Sequence, residues 1–314
     1  MSPRHNLYNI MIIHHIYSKT ILTKSNLPVS DYSVNPYVGC EHACKYCYAS
    51  FMKRFTNHPE EWGTFVDVKT WPEIKHPEKL SGKEIFIGSV TDPYQPAEKE
   101  FCRTRALLEQ LQGSHAKISI ATKSDLVIRD LDLIRTFKDA RVSWSINTLD
   151  EKFRTDMDKG AGIERRLEAM KIFHDAGIRT TCFISPIFPG STDVPAIIER
   201  AVNQCNLVWL ENLNLRGNFK HDILAYIHEN YPELDSLYHE IYTQKDLTYW
   251  YELNDLMKDF TREHGLEYVR NDDSIKRDFN LPPVVVNYFF HEDIIKSPHH
   301  KDKGKNKFLS TQEV

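Results

Sequence analysis

The fold of this 314-residue chain is indicated above all by one segment, Asn35-Pro-Tyr-Val-Gly-Cys-Glu-His-Ala-Cys-Lys-Tyr-Cys-Tyr-Ala49. It contains Cys40, Cys44 and Cys47 in the spacing C-x3-C-x2-C. Iron–sulfur clusters are usually held by four thiolates, so this set supplies one fewer than usual. An iron atom without a protein ligand is free to bind a reacting molecule. The spacing therefore predicts a cluster that takes part in chemistry rather than in electron storage alone.

Two other interpretations of these cysteines stay open from the residues alone. Zinc also binds thiolates in short loops, and His42 within the segment offers a fourth ligand. The usual zinc pattern has two separated ligand pairs, however, and no second pair of suitable spacing follows in the sequence. Ordinary buried thiols are the remaining alternative. The spacing favours a cluster over both.

The three cysteines, with Tyr48 directly after the last of them, resemble the signature of the radical S-adenosylmethionine (SAM) superfamily. Their flanks, and the later run Thr91-Asp-Pro-Tyr-Gln-Pro-Ala-Glu98, are similar to the spore photoproduct lyase-like branch. Within that branch, the chain most resembles the group called radical SAM mobile pair protein B. The resemblance covers roughly residues 20–290.

This resemblance implies a [4Fe-4S] cluster on the three cysteines, with SAM chelated by the open iron. An electron from the reduced cluster would cleave SAM to methionine and a 5′-deoxyadenosyl radical, which abstracts hydrogen from a substrate. The cofactor carries the chemistry, and the protein positions it. The resemblance also implies an electron donor of the flavodoxin or ferredoxin type and, as a candidate partner, a second radical SAM protein encoded nearby. It does not imply the substrate.

Several SAM contacts follow from the same resemblance. Tyr48 would pack beside SAM, and the Lys123 ammonium would pair with the SAM carboxylate. Thr91 and Asp92 lie where the superfamily hydrogen-bonds the SAM amino group. Each has a purely structural alternative: a surface or core tyrosine, a solvent-facing lysine, and a turn at Asp92-Pro93.

Two further residues, Ser145 and Asn147, resemble the polar contacts to the SAM ribose and amino acid, which short hydroxyl and amide groups can make. Their alternative is a polar surface hydrated by water. Arg165 and Arg166 open a predicted helix, and one of them could reach the SAM carboxylate. Exposed helix arginines are the simpler interpretation of that pair.

One position departs from the branch. In our alignment Ser89 stands near the point where spore photoproduct lyase carries its hydrogen-donating cysteine. A serine O–H gives a hydrogen atom to a carbon radical less readily than a thiol does. The resemblance therefore carries over the cofactor chemistry and argues against repair of a thymine dimer.

Composition and charge are those of an ordinary globular chain, with 41% hydrophobic residues, 27% charged residues and a net charge of −4. This balance argues against a protein that is basic all over and coats nucleic acid, but it leaves room for a local basic groove. Cys102, Cys182 and Cys205 are predicted to be buried free thiols in a reducing cytosol. No segment has the pattern of a signal peptide or a membrane span, so we expect a cytoplasmic protein without membrane contact.

The rest of the chain alternates strand-like and helix-like patterns, and this alternation predicts an α/β fold with a parallel sheet. The predicted strands are 32–37, 84–90, 117–122, 141–147, 179–185 and 207–212, and the predicted helices between them are 45–55, 100–111, 128–138, 163–176 and 194–204. Val142, Trp144 and Ile146 would share one strand face, and Ser143 with the two SAM-contact residues after it would share the other. One polar face suits a partial (βα)6 TIM-type barrel, which the resemblance also implies, better than a doubly wound sheet.

Four segments are predicted along the chain. They are an N-terminal extension over 1–30, the partial barrel over 31–217, a mainly helical region over 218–295 that caps the barrel, and a disordered lysine-rich tail over 296–314. Three competing functions stay open. The chain could be a non-catalytic iron–sulfur scaffold, assembly subunit or sensor, or a barrel enzyme stabilised by zinc. It could also act on nucleic acid, with the run Tyr249-Trp-Tyr251 stacking on bases.

Overall fold

A computed structural model describes residues 11–27, 30–215, 219–270 and 284–289. Its strands, in chain order, are β1 (Ile12–Tyr17), β2 (Thr23–Lys24), β3 (Tyr32–Val34), β4 (Tyr37–Val38), β5 (Phe65–Thr70), β6 (Glu84–Ile87), β7 (Lys117–Thr122), β8 (Ala140–Ser145), β9 (Arg179–Ile187), β10 (Leu207–Asn212), β11 (Glu267–Arg270) and β12 (Val285–Phe289). Its α-helices are α1 (Glu98–Phe101), α2 (Arg103–Leu111), α3 (Leu131–Ile134), α4 (Glu151–Met157), α5 (Ile163–Asp175), α6 (Val194–Ala201), α7 (Phe219–Asn230), α8 (Asp235–His239) and α9 (Thr248–Glu263).

The main sheet has the strand order β11-β12-β10-β9-β8-β7-β6-β3-β2. Only the short pair of β2 with β3 is antiparallel, and every other neighbouring pair in this sheet is parallel. The strands predicted from the sequence are all present in it. The α/β class with a large parallel sheet is therefore confirmed.

The two faces of the sheet differ as the alternation in β8 predicts. Val142, Trp144 and Ile146 are fully buried in the main hydrophobic core, which the helices cover. Ser143, on the opposite face of the same strand, is partly accessible, and so are Ser119 and Ala121 on β7. The second face is thus polar and open along the central strands.

A second, smaller sheet was not predicted. It has the order β1-β5-β4, with β1 parallel and β4 antiparallel to β5. β1 lies in the segment predicted to be an extension, and its alternating pattern was hidden by its two central histidines, His14 and His15. β4 leads directly into the cysteine segment, and Gly39 at the start of that segment packs against β5. The smaller sheet therefore supports the cysteine segment.

The helix predictions hold best where a cap is present. Asp193 accepts a hydrogen bond from the Ala196 backbone N–H at the start of α6 (3.0 Å), and Gly177 adopts a φ of +78° after α5. The predicted helix 100–111 is wrong in detail, because Cys102 adopts a φ of +50° and divides it into α1 and α2. The predicted helix 45–55 is a 3-10 helix over Tyr48–Phe55.

The C-terminal region contributes both helices and strands. Ile223 of α7, Tyr238 of α8 and Met257 of α9 are buried in the main core. β12 pairs with β10, and β11 pairs with β12, so two further parallel strands extend the main sheet. The predicted tail, residues 296–314, lies outside the described residues, as do residues 1–10. No helix in the described ranges is long and apolar enough to cross a bilayer.

Candidate functional site

The three cysteines lie in a loop that starts with a tight turn at Gly39. Gly39 adopts a φ of +86°, and a Cβ atom there would lie 2.2 Å from the carbonyl oxygen of Phe65 in β5. The backbone N–H of Ala43 donates to the Cys40 carbonyl (3.1 Å), and that of Cys47 donates to the Cys44 carbonyl (3.1 Å). The three cysteines therefore lie on two consecutive hydrogen-bonded turns. The 3-10 helix begins only after Cys47.

The far side of the loop is fastened to the segment that follows α4. The Lys45 N–H donates to the Met157 carbonyl (2.9 Å), and the Lys159 N–H donates to the His42 carbonyl (2.8 Å). These two bonds flank Cys44 on either side in the sequence. They fix the middle of the loop at the edge of the sheet where the parallel strands end.

The run Thr91–Glu98 holds the near side of the loop. The Thr91 hydroxyl donates to the Gly39 carbonyl (2.6 Å), and Nε2 of Gln95 donates to the same oxygen (3.3 Å). In return, the Glu41 N–H donates to Oε1 of Gln95 (2.9 Å), and the Ala97 N–H donates to Oε1 of Glu41 (2.6 Å). Thr91 thus acts on the shape of the cysteine loop.

Asp92 is buried, and both of its carboxylate oxygens are engaged. Oδ1 accepts from the Tyr94 N–H (2.8 Å) and the Thr122 hydroxyl (2.7 Å), and Oδ2 accepts from the Lys123 N–H (2.6 Å). Burial alone would raise the pKa of Asp92, but His42 and these donors lower it to about 2. The carboxylate therefore joins the loop after β6 to the end of β7.

His42 faces this carboxylate. Its Nδ1 atom lies 3.1 Å from Oδ2 of Asp92, close enough for an ion pair, although its direction does not meet the geometry of a hydrogen bond. The ring is buried. The His42 ring therefore packs between the cysteine loop and Asp92, with Nδ1 facing the carboxylate.

Of the three cysteines, Cys40 is buried, and Cys44 and Cys47 are half-buried. Burial raises the pKa of Cys44 to about 12, while the Lys123 and Arg166 cations oppose this shift. Burial also raises the pKa of Cys40, to which the nearby Asp92 charge adds, and that of Cys47, which the Ala49 N–H partly offsets. Thiols held in this way stay protonated until a metal displaces the proton.

A buried cationic cluster stands beside Cys44. Arg166 donates to Oδ1 of Asp158 (2.5 Å) and to the Ser145 carbonyl (2.9 Å), and the Tyr46 hydroxyl donates to Oδ2 of Asp158 (3.1 Å). The Lys123 ammonium lies over the Tyr46 ring, 5.7 Å from its centre. The prediction of two exposed arginines is wrong for Arg166, whose side chain is 1% exposed. Arg165 is exposed and pairs with Asp125.

The remaining predicted contacts lie at neighbouring strand ends. Ser145 ends β8, and Asn147 follows it; both are buried. Nδ2 of Asn147 makes no hydrogen bond of standard geometry to the described residues, while its backbone carbonyl accepts from the Thr192 hydroxyl (2.8 Å). Such a buried donor is suited to an incoming acceptor.

Tyr48 differs from the others because its ring is 63% exposed. Its hydroxyl donates to the Ser89 carbonyl, so the exposed ring is nevertheless fixed in place. The Ser89 hydroxyl is bonded to the Ser33 hydroxyl and accepts from Nδ2 of Asn35 (2.9 Å). Ser89, which stands near the position of the hydrogen-donating cysteine of spore photoproduct lyase, therefore already has its hydroxyl engaged in hydrogen bonds.

The sequence profile of the Radical SAM superfamily matches residues 34–201, which include the whole of this site. The chain belongs to the radical SAM superfamily. It is a radical SAM enzyme, and the family implies a [4Fe-4S] cluster and SAM. The donor set agrees with that group, since three thiols, and no fourth cysteine in the loop, lie together beside cationic side chains.

The chain is similar to several relatives in sequence and to solved structures in fold. The chain is similar to the uncharacterized protein MJ0683 of Methanocaldococcus jannaschii, with 38% identity over 222 residues, 69% of this chain and 83% of that protein. It is similar to the uncharacterized protein Rv2578c of Mycobacterium tuberculosis, with 28% identity over 262 residues, 77% of this chain and 76% of that protein. Spore photoproduct lyase complexed with dinucleoside spore photoproduct shares the fold, with a TM-score of 0.56, 15% identity, and coverage of 88% of this chain and 82% of that one.

Sequence reasoning missed the residues that hold this radical SAM site together. Gln95 and Glu98 lie in the run that carries Thr91 and Asp92, and Asp158 accepts from both Tyr46 and Arg166. A signal was available for the first two, since two prolines fix the backbone of that run and make its polar side chains available for contacts to other segments. Nothing in the sequence indicated Asp158, which lies far along the chain from the cysteines.

Replacing Gly39 with alanine should disrupt the cysteine loop. The new Cβ meets a backbone oxygen at 2.2 Å, and the positive φ adds strain, so we expect a loss of about 2–4 kcal/mol of stability. Gly82→Ala is the matched control, because Gly82 also has a positive φ, of +71°, but open space around its Cβ position. Urea unfolding and iron per chain after reconstitution measure the effect. Equal values for the two variants would contradict this account of the turn.

Proposed function

We propose that Cys40, Cys44 and Cys47 hold a [4Fe-4S] cluster at the mouth of a partial (βα)6 barrel. When bound, the cluster supplies the electron that cleaves SAM to methionine and a 5′-deoxyadenosyl radical, which abstracts hydrogen from the substrate. The observation that carries this proposal is the three-thiol loop beside the Lys123 ammonium in a chain of this family. The substrate itself is left open.

Each proposed contact corresponds to a group at the strand ends. Lys123 supplies the positive charge for the SAM carboxylate, and its ammonium is close enough to Cys44 and Cys47 to act against the rise in their pKa. Asn147 offers a buried amide donor, and Ser145 a small hydroxyl, for the polar part of the nucleoside. The exposed Tyr48 ring provides an apolar surface for packing. Thr91 and Asp92 act mainly by shaping the loop, in keeping with their buried hydrogen bonds.

A partial barrel over 31–217, with 218–295 packed against it, fits the open polar face of the sheet. Phe183 on β9 and Glu211 on β10 are partly accessible on the face away from the main core. Ser185 donates to Oε2 of Glu211 (3.0 Å) at the carboxyl ends of β9 and β10, whereas Leu207, Trp209 and Val285 form an apolar cluster further back on the same face. This face would enclose the substrate next to SAM. The proposed barrel is supported by the alternation of core-facing and open-facing residues along successive parallel strands.

Other structures lend support to SAM binding. A variant of spore photoproduct lyase with bound AdoMet and dinucleoside spore photoproduct shares this fold, with a TM-score of 0.54. Repair of the same lesion is not proposed here, because the Ser89 hydroxyl is engaged by Ser33 and Asn35 and offers no thiol. The aromatic run at Tyr249 gives little support for base stacking, since Trp250 is buried, the Tyr249 hydroxyl accepts from the Gly190 N–H (3.1 Å), and Tyr251 is the one exposed ring of the three.

The proposal is tested by 5′-deoxyadenosine formation from SAM by anaerobically reconstituted protein reduced with dithionite. We expect product that depends on both SAM and reductant. A spectroscopically intact cluster without any product would favour the alternative of a non-catalytic iron–sulfur scaffold or sensor. We further propose that a flavodoxin- or ferredoxin-like protein supplies the electron and that a second radical SAM protein encoded nearby is the partner; adding each to the assay tests this.

Removal of the Lys123 ammonium should weaken SAM binding without loss of the cluster. A hydrogen bond between charged groups contributes about 1.5–3 kcal/mol, so Lys123→Ala should raise the dissociation constant for SAM about tenfold to a hundredfold. Lys117→Ala is the control, because Lys117 lies at the other end of the same strand and pairs with Asp139 (3.7 Å). SAM titration of the reconstituted protein measures both. Equal affinities in the two variants would remove Lys123 from the proposed site.

A further inference from the structure

A second group of metal-ligating side chains lies in the smaller sheet. His14, His58 and Asp67 bring one ligand atom each to within 4.8 Å of one another. None of the three belongs to the cysteine loop, and the radical SAM proposal does not use them. They come from β1, from the loop after the 3-10 helix Tyr48–Phe55, and from β5.

The geometry of the three donors is close to that of a coordination sphere. Nε2 of His58 lies 2.8 Å from Oδ1 of Asp67, and Nδ1 of His14 lies 3.8 Å from the same oxygen. His14 and Asp67 are directly paired across the parallel strands β1 and β5. Ligands of tetrahedral zinc at about 2.0–2.2 Å lie about 3.4 Å apart, a value between these two distances. The His14 and His58 rings stack with their centres 4.8 Å apart, so the His14 ring has to turn for both nitrogens to face one ion.

Glu60 lies outside the three donors and contacts the His58 ring. Its Oε2 atom lies 2.9 Å from Nδ1 of His58, the ring nitrogen that faces away from Asp67. A carboxylate on the outer nitrogen of a ligating histidine is the usual support of a metal-bound imidazole, because it fixes the tautomer and aims the other nitrogen at the metal. The ring is also fixed by stacking on Phe65, with centres 3.8 Å apart.

The Asp67 carboxylate is shielded from water. The side chains of His58 and Asp67 are 5% and 8% exposed. A bound cation would balance the charge of such a carboxylate.

We propose that Nδ1 of His14, Nε2 of His58 and the Asp67 carboxylate form a binding site for one divalent transition metal ion of the zinc type. Glu60 supports the His58 ring, and water fills the fourth position. Nitrogen and oxygen donors of this kind suit Zn²⁺, Co²⁺ or Ni²⁺ and do not suit an iron–sulfur cluster.

This site has a structural consequence. It joins β1 to β5, and the Phe65 carbonyl of β5 packs against Gly39 at the start of the cysteine loop. An ion here stabilises the sheet that supports the loop from behind. The inference is independent of the radical SAM proposal, because it concerns different residues and is measured without SAM.

The test uses cobalt as a spectroscopic probe. The full-length chain, with its cluster reconstituted and excess metal removed by a chelator, is titrated with Co²⁺ in the absence of air. Cys40→Ala, Cys44→Ala and Cys47→Ala are also combined in one variant, so that thiolates cannot bind the probe. We expect one Co²⁺ per chain in both proteins, with ligand-field bands of a nitrogen and oxygen site and no thiolate-to-cobalt charge transfer.

Variants of the site give a graded result. His58→Ala should abolish stoichiometric binding, and Glu60→Gln should weaken it about tenfold to a hundredfold, as removal of an outer partner does. His76→Ala is the matched control, since His76 forms a similar pair with Glu78 (3.1 Å) but belongs to no group of three ligands in the described part of the chain. It should bind as the parent does.

Three results would overturn the proposal. They are no binding in the reconstituted protein, binding that His58→Ala leaves unchanged, and binding with sulfur charge-transfer bands alone. If the combined cysteine variant fails to fold, the reconstituted parent and its His58→Ala derivative decide the question. X-ray absorption at the zinc edge of the zinc-loaded proteins gives a second measure, with nitrogen and oxygen neighbours expected and sulfur neighbours contradicting.

Discussion

Replacing Cys44 with alanine is expected to abolish 5′-deoxyadenosine formation and to prevent assembly of a stable [4Fe-4S] cluster. Cys44 is the central thiol of a loop that supplies only three, so its removal leaves two ligands for the cluster. The loop itself should survive, because it is held by the backbone bonds of Lys45 and Lys159 and not by the thiol. The variant should therefore fold normally and contain little iron.

The matched control for this variant is Cys205→Ala. Cys205 is a buried thiol outside the loop, in the main core on the helix-covered side of the sheet, where Cys182 is its neighbour. We expect it to lose some stability, about 1–2 kcal/mol for a small core truncation, and to retain both iron and product. Iron content, the visible absorption of the cluster and product analysis are measured together. Retained turnover in Cys44→Ala would exclude the three-cysteine cluster.

Glu98→Ala is expected to cause the largest loss of stability, about 3–5 kcal/mol. Glu98 is fully buried, accepts from the backbone N–H groups of Thr104 (2.9 Å) and Arg105 (3.2 Å), and pairs with Arg129 (2.5 Å). The Tyr37 hydroxyl also donates to it, and burial together with the Glu98 charge raises the pKa of that hydroxyl. Truncation would leave these donors without their common acceptor.

The effect should reach the cofactor site, because Glu98 joins α1, α2 and β4 directly behind the cysteine loop. Glu100→Ala is the control: it removes a glutamate from the same short helix at an exposed position and should change stability by less than about 0.5 kcal/mol. Urea denaturation followed by circular dichroism measures both variants. A loss of less than about 1 kcal/mol in Glu98→Ala would show that the buried network does not stabilise this region as described.

The fold could be predicted from the sequence where local patterns were regular. Strand β8 alternates Val142, Ser143 and Trp144 between two faces, and the structure places those faces as the alternation requires. The smaller sheet could not be predicted, because β1 carries two polar histidines and its partner β5 lies 53 positions further on in the register His14↔Asp67. Pairing over such a distance leaves no local signal.

The site divides in a similar way. Spacing and resemblance single out the three cysteines and Lys123, and the structure places Lys123 near Cys44; their binding of a cluster and SAM stays a prediction. The hydrogen bonds that Thr91 and Asp92 make could not be predicted, because whether a polar side chain faces a ligand or a backbone group depends on loop geometry that no periodicity encodes. Arg166 illustrates the same limit, since a buried ion pair with Asp158 looks like a surface arginine in the sequence.

The central claim is that the three-cysteine site leaves one iron open and that SAM binds to it. Electron–nuclear double resonance on the reduced, reconstituted protein, with SAM labelled by ¹⁵N at the amino group and ¹⁷O at the carboxylate, tests this directly. We predict hyperfine coupling of both labels to the cluster, and a weakened population of that state in Lys123→Ala at limiting SAM. A cluster signal that is unchanged by labelled SAM at saturating concentration would contradict the account.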